Sequence, residues 1–145
     1  MRMLRRQGKG RHRRLERQLP PRRVGLIERR HGGYNKDKAD RRILEQASAL
    51  LFGRQSYDEF APHWPSMEEF ATYNAMPRYV VSTTLPGDTA PWGDGEVRVL
   101  RSLDDVAALK QTEGGEIHVH GSPTLAQGLA RAGLVDRYHL LVFPL

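Results

Sequence analysis

The chain has 145 residues, 23 Lys and Arg against 17 Asp and Glu, no cysteine and a hydrophobic share of 39%. That length supports one domain with a real core. The absence of cysteine excludes disulfides, thiolate metal sites and thiol catalysis, and no run approaches the ~20 apolar residues of a membrane-spanning helix.

The formal charge of +6 hides a split, because residues 1–42 hold 16 Lys and Arg against 4 Asp and Glu, and residues 43–145 hold 7 against 13. The basic character belongs to an N-terminal arm, and the rest is mildly acidic. Met1-Arg2-Met3-Leu4-Arg5-Arg6 has no apolar region after its charges, so it does not read as a secretory signal. With zero cysteines, it suits a cytoplasmic protein.

Residues 1–33 combine Arg-rich runs, Pro20-Pro21 and Gly32-Gly33 with few apolar side chains. Such a stretch buries too little surface to offset its conformational entropy, so a disordered arm over 1–33 and a domain over 34–145 are expected. From Lys36 a helical period places Ala39, Ile43, Leu44 and Ala47 on one face. Ala49–Phe52 is a continuously apolar strand of the kind buried on both faces. A helix begins at Gln55 and is stopped by Pro62 and Pro65, and Ser66 is placed to cap another through Asn74. Tyr79–Ser82 reads as a strand, Leu85–Gly95 as a Gly- and Pro-rich loop, and Val97–Leu100 as a strand.

Ser102 caps the next helix, with Asp104 and Asp105 early and Lys110 late, an order that suits the macrodipole. The Ile117–His120 strand leads through Gly121 to Ser122 at a helix cap and Pro123 at the first helical position. Leu125, Leu129 and Ala132 share a helical face, and Gly133 stands where a glycine cap belongs. Tyr138–Phe143 is the last strand. Strands alternating with helices predict a doubly wound α/β fold.

Three strands run into small hydroxyl residues, glycine or arginine: Gly53-Arg54-Gln55-Ser56, Ser82-Thr83 and Gly121-Ser122-Pro123-Thr124. Ligands bind at that end of the strands in open α/β sheets. Glycine admits a close backbone approach, and free amides at a helix start donate to anions. A capped helix without a ligand is the plain alternative at Gly121–Thr124, and turn chemistry is the plain alternative at Ser82 and Thr83. His118 and His120 alternate, so both point to one face; no third His, Asp or Glu stands at a completing spacing, and no metal is expected. Met67 and Met76 read as core filler.

Leu51-Phe52-Gly53-Arg54-Gln55-Ser56-Tyr57, Phe60-Ala61 with Trp64-Pro65, and Asn74-Ala75-Met76-Pro77-Arg78-Tyr79-Val80-Val81-Ser82 share their order with Gly114-Gly115-Glu116-Ile117, His120-Gly121-Ser122 and Leu134-Val135-Asp136. In these features residues 40–145 resemble the dihydrofolate-reductase-like superfamily, and within it the reductase domain of bacterial riboflavin biosynthesis. The resemblance implies a dihydrofolate-reductase-like sheet, lacking here its first strand and the strands after Phe143. It implies NADPH as cofactor, with Arg54 at the 2′-phosphate, Ser56 at the pyrophosphate, Ser82 near the adenosine phosphate, and Gly53, Thr83, Gly121, Ser122 and Thr124 beside them. The implied reaction is hydride transfer to a small heterocycle, as in the reduction of a 5-amino-6-(5-phosphoribosylamino)uracil-like pyrimidine. No catalytic acid or base is identified, and a missing first strand would impair turnover.

The alternatives are a nucleotide-binding remnant that pairs with a second copy to complete its sheet, and a nucleic-acid binder using the basic arm. The arm has only Tyr34 for stacking and no recognition helix, so nucleic acid is the weaker reading.

Overall fold

A computed structural model describes residues 21–29 and 45–141. Their sheet has seven strands: β1 Val24–Arg29, β2 Ala47–Gly53, β3 Arg78–Val81, β4 Thr89–Trp92, β5 Gly95–Leu100, β6 Glu116–His120 and β7 Arg137–Leu141. The strand order is β4-β5-β3-β2-β6-β1-β7. Every neighbouring pair is parallel except β4 with β5. Helices α1 Arg54–Phe60, α2 Ala71–Asn74, α3 Leu103–Lys110 and α4 Pro123–Arg131 connect the strands. The α/β class is as expected.

Successive side chains of a strand point to opposite faces, and β2 divides its apolar run accordingly. Ala49 and Leu51 join Tyr79, Ile117 and Val119 beneath Val106 of α3 and Leu125 and Leu129 of α4. Leu50 and Phe52 join Val80, Val97 and Val99 beneath Tyr57, Trp64, Tyr73 and Trp92. Two apolar layers, one on each face, explain why β2 is apolar throughout.

The expected loss of the first strand is overturned. Val24–Arg29 lies inside the sheet, pairing with β6 from Val24↔Ile117 to Ile27↔His120 and with β7 from Gly25↔Arg137 to Arg29↔Leu141. Tertiary anchors supply what a weak local pattern does not. Arg22, 7% exposed, donates from Nε to the Gly115 carbonyl at 3.0 Å and from its other end to Ser48 Oγ at 2.9 Å. Its backbone N–H donates to the Lys110 carbonyl at 2.8 Å. Residues 21–29 therefore belong to the domain, and a boundary at 33/34 is too late. The remainder of the expected arm, 1–20 and 30–33, lies outside the described residues. So do most of the helix expected from Lys36, whose last described residues Glu45 and Gln46 are helical while Ala47 opens β2, and the chain after Leu141.

Three further expectations change. The Leu85–Gly95 loop contains β4, whose Pro91 is tolerated because the strand lies at the sheet edge. Gly93 at φ +57 makes the tight turn into β5. The single helix from Ser66 to Asn74 is instead two short 3₁₀ turns, Trp64–Ser66 and Glu68–Phe70, followed by α2. Met67 breaks it with extended backbone (φ −97, ψ 119). This lets Trp64 and Phe70 stack at a centroid distance of 4.3 Å. Met67 is itself exposed, whereas Met76 packs against the aromatic layer.

Two helix ends behave as read. Ser102 and Asp105 form a capping box on α3. After α4, Gly133 at φ +67 donates its N–H to the Ala130 carbonyl and Leu134 donates to the Leu129 carbonyl, the paired bonds of a Schellman cap.

Candidate functional site

The carboxyl ends of β3, β2 and β6 are adjacent in the sheet, and each gives way to a residue singled out in the sequence. At β2, Gly53 passes directly into α1 as its extended N-cap. At β6, Gly121 turns with φ +69 and Ser122 follows with φ +62, both left-handed. A left-handed serine is strained by roughly 1–3 kcal/mol and survives only where its surroundings hold it. The hold is visible: Ser122 Oγ accepts the Gly53 N–H at 2.7 Å and lies 2.6 Å from Ser56 Oγ.

This corrects one expectation. Ser122 occupies the N-cap position of α4 but its side chain caps nothing there, because the left-handed backbone turns the hydroxyl toward β2. The first amides of α4 therefore lack the side-chain acceptor that usually satisfies one of them. The glycines admit these hydroxyls close to the backbone. A Cβ on Gly53 would lie 2.5 Å from Ser122 Oγ, and one on Gly121 would lie 2.8 Å from Ser56 Oγ. Gly53, Ser56, Gly121 and Ser122 thus form one cradle, with Ser56 and Ser122 buried.

Arg54 lies at the rim. Its Nε donates to both carboxylate oxygens of Asp58 at 2.9 Å, and Nη1 donates to Thr84 Oγ1 at 2.9 Å. Ser82, buried at the end of β3, accepts the Thr84 and Leu85 N–H groups at 3.2 and 3.1 Å. Its Oγ lies 3.3 Å from Thr84 Oγ1, so Ser82 connects to Arg54 through Thr84. Thr83 and Thr124 are exposed and neither joins these contacts. Thr84 is the residue that sequence reasoning missed, although it adjoins the Ser82-Thr83 pair. Arg101 braces the same loop from below, donating to the Ser82 and Leu85 carbonyls at 3.1 and 2.6 Å.

The two histidines of β6 are both buried but part company. His120 sits edge-on among Phe60, Trp64 and Tyr73 at centroid distances of 6.1, 5.2 and 5.6 Å. His118 instead meets Glu116 and His139. Glu116 shares its strand face at a spacing of two, so strand periodicity could have found it. His139 reaches the pair only through the pairing of β7 with β1 and β1 with β6.

No helix among the described residues is long and apolar enough to cross a membrane. A family model described as the RibD C-terminal domain matches residues 28–145. No curated protein sequence matches. Among solved structures, one from Shewanella sp. PV-4, described as a candidate riboflavin biosynthesis protein, is similar with a TM-score of 0.51 and 19% identity. The likeness covers 83% of this chain and 78% of that one, and at that identity it speaks for the fold.

Proposed function

The chain belongs to the RibD C-terminal domain family, and from that membership we propose that it is an NADPH-dependent reductase acting on a small heterocycle of the ribosylaminopyrimidine type, in the cytoplasm. The observation that carries the proposal is the cradle at the ends of β2 and β6. There two glycines let the Ser122 and Ser56 hydroxyls close against the backbone, and a helix start has no side-chain cap.

The residues present fit the anionic half of such a cofactor. The amides opening α4 and the hydroxyls of Ser56 and Ser122 are donors that converge where small residues admit a phosphate. Ser56 and Ser122 satisfy each other at 2.6 Å, so an anion binding there exchanges that bond for two to its own oxygens. Arg54 supplies the fork for a further phosphate; its partner Asp58 is half-exposed and pairs with it only weakly in that setting. Thr84 and Ser82 fix the direction from which Arg54 approaches. NADPH, when bound, supplies the hydride, and the protein binds and orients it.

The expected impairment of turnover rested on a missing first strand. With β1 in place between β6 and β7, the strand's part of that reason falls away; the segment that follows it lies outside the described residues. The test is titration of the purified chain with NADPH and NADH, followed by NADPH oxidation with pyrimidine and pteridine acceptors. Saturable binding that prefers NADPH, with oxidation dependent on a pyrimidine, is the expected result. Absence of NADPH binding at millimolar concentration would overturn it.

A further inference from the structure

At the opposite end of β6 from Gly121, three side chains converge that the proposed reduction does not use. Glu116 Oε1 lies 3.3 Å from His118 Nε2 and 3.3 Å from His139 Nε2. One ligand atom from each residue lies within 4.8 Å of the other two. The site is enclosed: the side chains of His118, Glu116 and His139 are 0%, 6% and 15% exposed. We propose that Glu116, His118 and His139 bind one divalent transition ion with zinc's coordination habit, joining β6 to β7 across Gly25 of β1.

The spacing favours ligands over hydrogen-bond partners. A charge-assisted N–H···O bond closes to about 2.7–2.9 Å, shorter than either contact. Tetrahedral ligands on bonds of about 2.0–2.1 Å stand about 3.3–3.4 Å apart, which is the separation found on both sides of Glu116 Oε1. His118 adds an independent observation. It is fully buried, its Nδ1 has no hydrogen-bond partner, and its Nε2 meets only Glu116 Oε1 at the long distance of 3.3 Å, a costly state for a polar group with no ligand.

The floor of the site is built for this arrangement. A Cβ on Gly25 would lie 2.2 Å from Glu116 Oε1 and 3.3 Å from His139 Nε2, so only glycine allows the carboxylate oxygen between the imidazoles. Arg137 holds the other oxygen, Oε2, at 3.3 Å, which turns Oε1 toward the histidines. Two imidazoles and one carboxylate suit zinc, cobalt or nickel better than magnesium or calcium, which take oxygen ligands. Three protein ligands leave a fourth position for water.

The experiment uses the full chain freed of metal by a chelator and titrated with Co²⁺. One equivalent should bind with the visible absorption of four-coordinate cobalt, and Zn²⁺ should displace it. Thermal melts should shift upward with Zn²⁺ and stay unchanged with Mg²⁺. Loss of an outer hydrogen-bond partner of a metal ligand costs ~10–100-fold in affinity, so His139→Gln, losing a ligand, should cost more than ~100-fold. His63→Ala, at an exposed histidine, should bind as the parent does. His139 lies on an edge strand, and a melt of His139→Gln without metal establishes that it folds. If that variant does not fold, the cobalt spectrum and Zn²⁺-dependent melt of the parent decide alone. An ion pair only, seen as no stoichiometric cobalt binding by the parent, would overturn the proposal. Binding that survives in a folded His139→Gln would do so too.

Discussion

Asp136 holds the first strand by both of its backbone-facing ends: its carboxylate accepts the Val24 N–H at 2.8 Å and its own N–H donates to the Val24 carbonyl at 3.0 Å. Lys110 Nζ stands 2.7 Å from the same carboxylate. A residue just before β7 therefore fixes where β1 enters the sheet, and β1 in turn carries the pairing between β6 and β7.

Asp136→Ala removes the acceptor and leaves the Val24 N–H without its partner, a loss of roughly 1–3 kcal/mol. Chemical denaturation at neutral pH should show a lower midpoint with an unchanged slope. Burial alone would raise the Asp136 pKa, but the bonds from Lys110 and the Val24 amide, with the charges of Lys110 and Arg23, hold it below the usual value. A carboxyl depressed in the folded state adds stability that is present above its unfolded pKa of about 3.9 and is lost as pH falls through the folded value. The gap between parent and Asp136→Asn should therefore be widest near neutrality and shrink below about pH 4. A gap independent of pH would show that the charge of Asp136 contributes nothing.

Arg54 is expected to discriminate between the two nicotinamide cofactors. A hydrogen bond to a charged group contributes about 1.5–3 kcal/mol, so Arg54→Ala should weaken NADPH by ~10-fold or more and leave NADH nearly unchanged. Asp58→Asn frees Arg54 from its carboxylate and should tighten NADPH by a few-fold at low salt, an effect that fades as salt screens the exposed pair. Fluorescence titrations of both cofactors measure this, and equal losses for NADH and NADPH would remove Arg54 from the role.

Gly121 is held to glycine by two separate demands. Its φ of +69 disfavours any Cβ, and the Cβ would stand 2.8 Å from Ser56 Oγ. Gly121→Ala should cost roughly 1–2 kcal/mol of stability from backbone strain and reduce NADPH affinity as well, because Ser56 must leave the cradle. Ser56→Ala/Gly121→Ala removes the clash and leaves the strain. The double variant should bind no better than Ser56→Ala, and calorimetry on the three proteins separates the two demands.

The strands legible in the sequence were those whose apolar runs declare themselves. Ala49–Phe52, Tyr79–Val81 and Ile117–His120 are covered on both faces, α3 carries its N-terminal cap and α4 its C-terminal glycine. Val24–Arg29 is different, since Pro20-Pro21 and Arg22-Arg23 precede it and Gly25 reads as a breaker. It is a strand because Asp136, the partners that Arg22 finds at Ser48, Lys110 and Gly115, and strands β6 and β7 make it one, and none of these is local. Gly53, Ser56, Gly121 and Ser122 were legible because strand ends can be located from sequence. Thr84 was not, because the turn of Ser82 onto the next amides decides which threonine faces Arg54. Glu116 stands two residues before His118 on the same strand, but His139 meets them only after two strand registers are fixed, so no spacing announces the three as a set.

The position of β1 makes the last prediction the sharpest. A disordered arm over 1–33 implies that its removal leaves a stable domain; the sheet order argues the reverse. Without Val24–Arg29, β6 and β7 lose their common neighbour, the ladders Val24–Ile27 and Gly25–Arg29 disappear, and Asp136 loses both bonds to Val24. A parallel strand cannot be replaced by sliding its neighbours together, because β6 and β7 each present groups in register with β1 and unpaired buried backbone groups are costly. A chain beginning at Pro21 keeps these contacts, whereas one beginning at Tyr34 loses them all. The first should melt cooperatively close to the full-length protein, and the second should show no cooperative transition or one shifted far downward. Limited proteolysis should likewise spare the segment around Val24 in the folded protein. A Tyr34 start that melts within a few degrees of the Pro21 start would show that β1 is dispensable and would restore the original boundary.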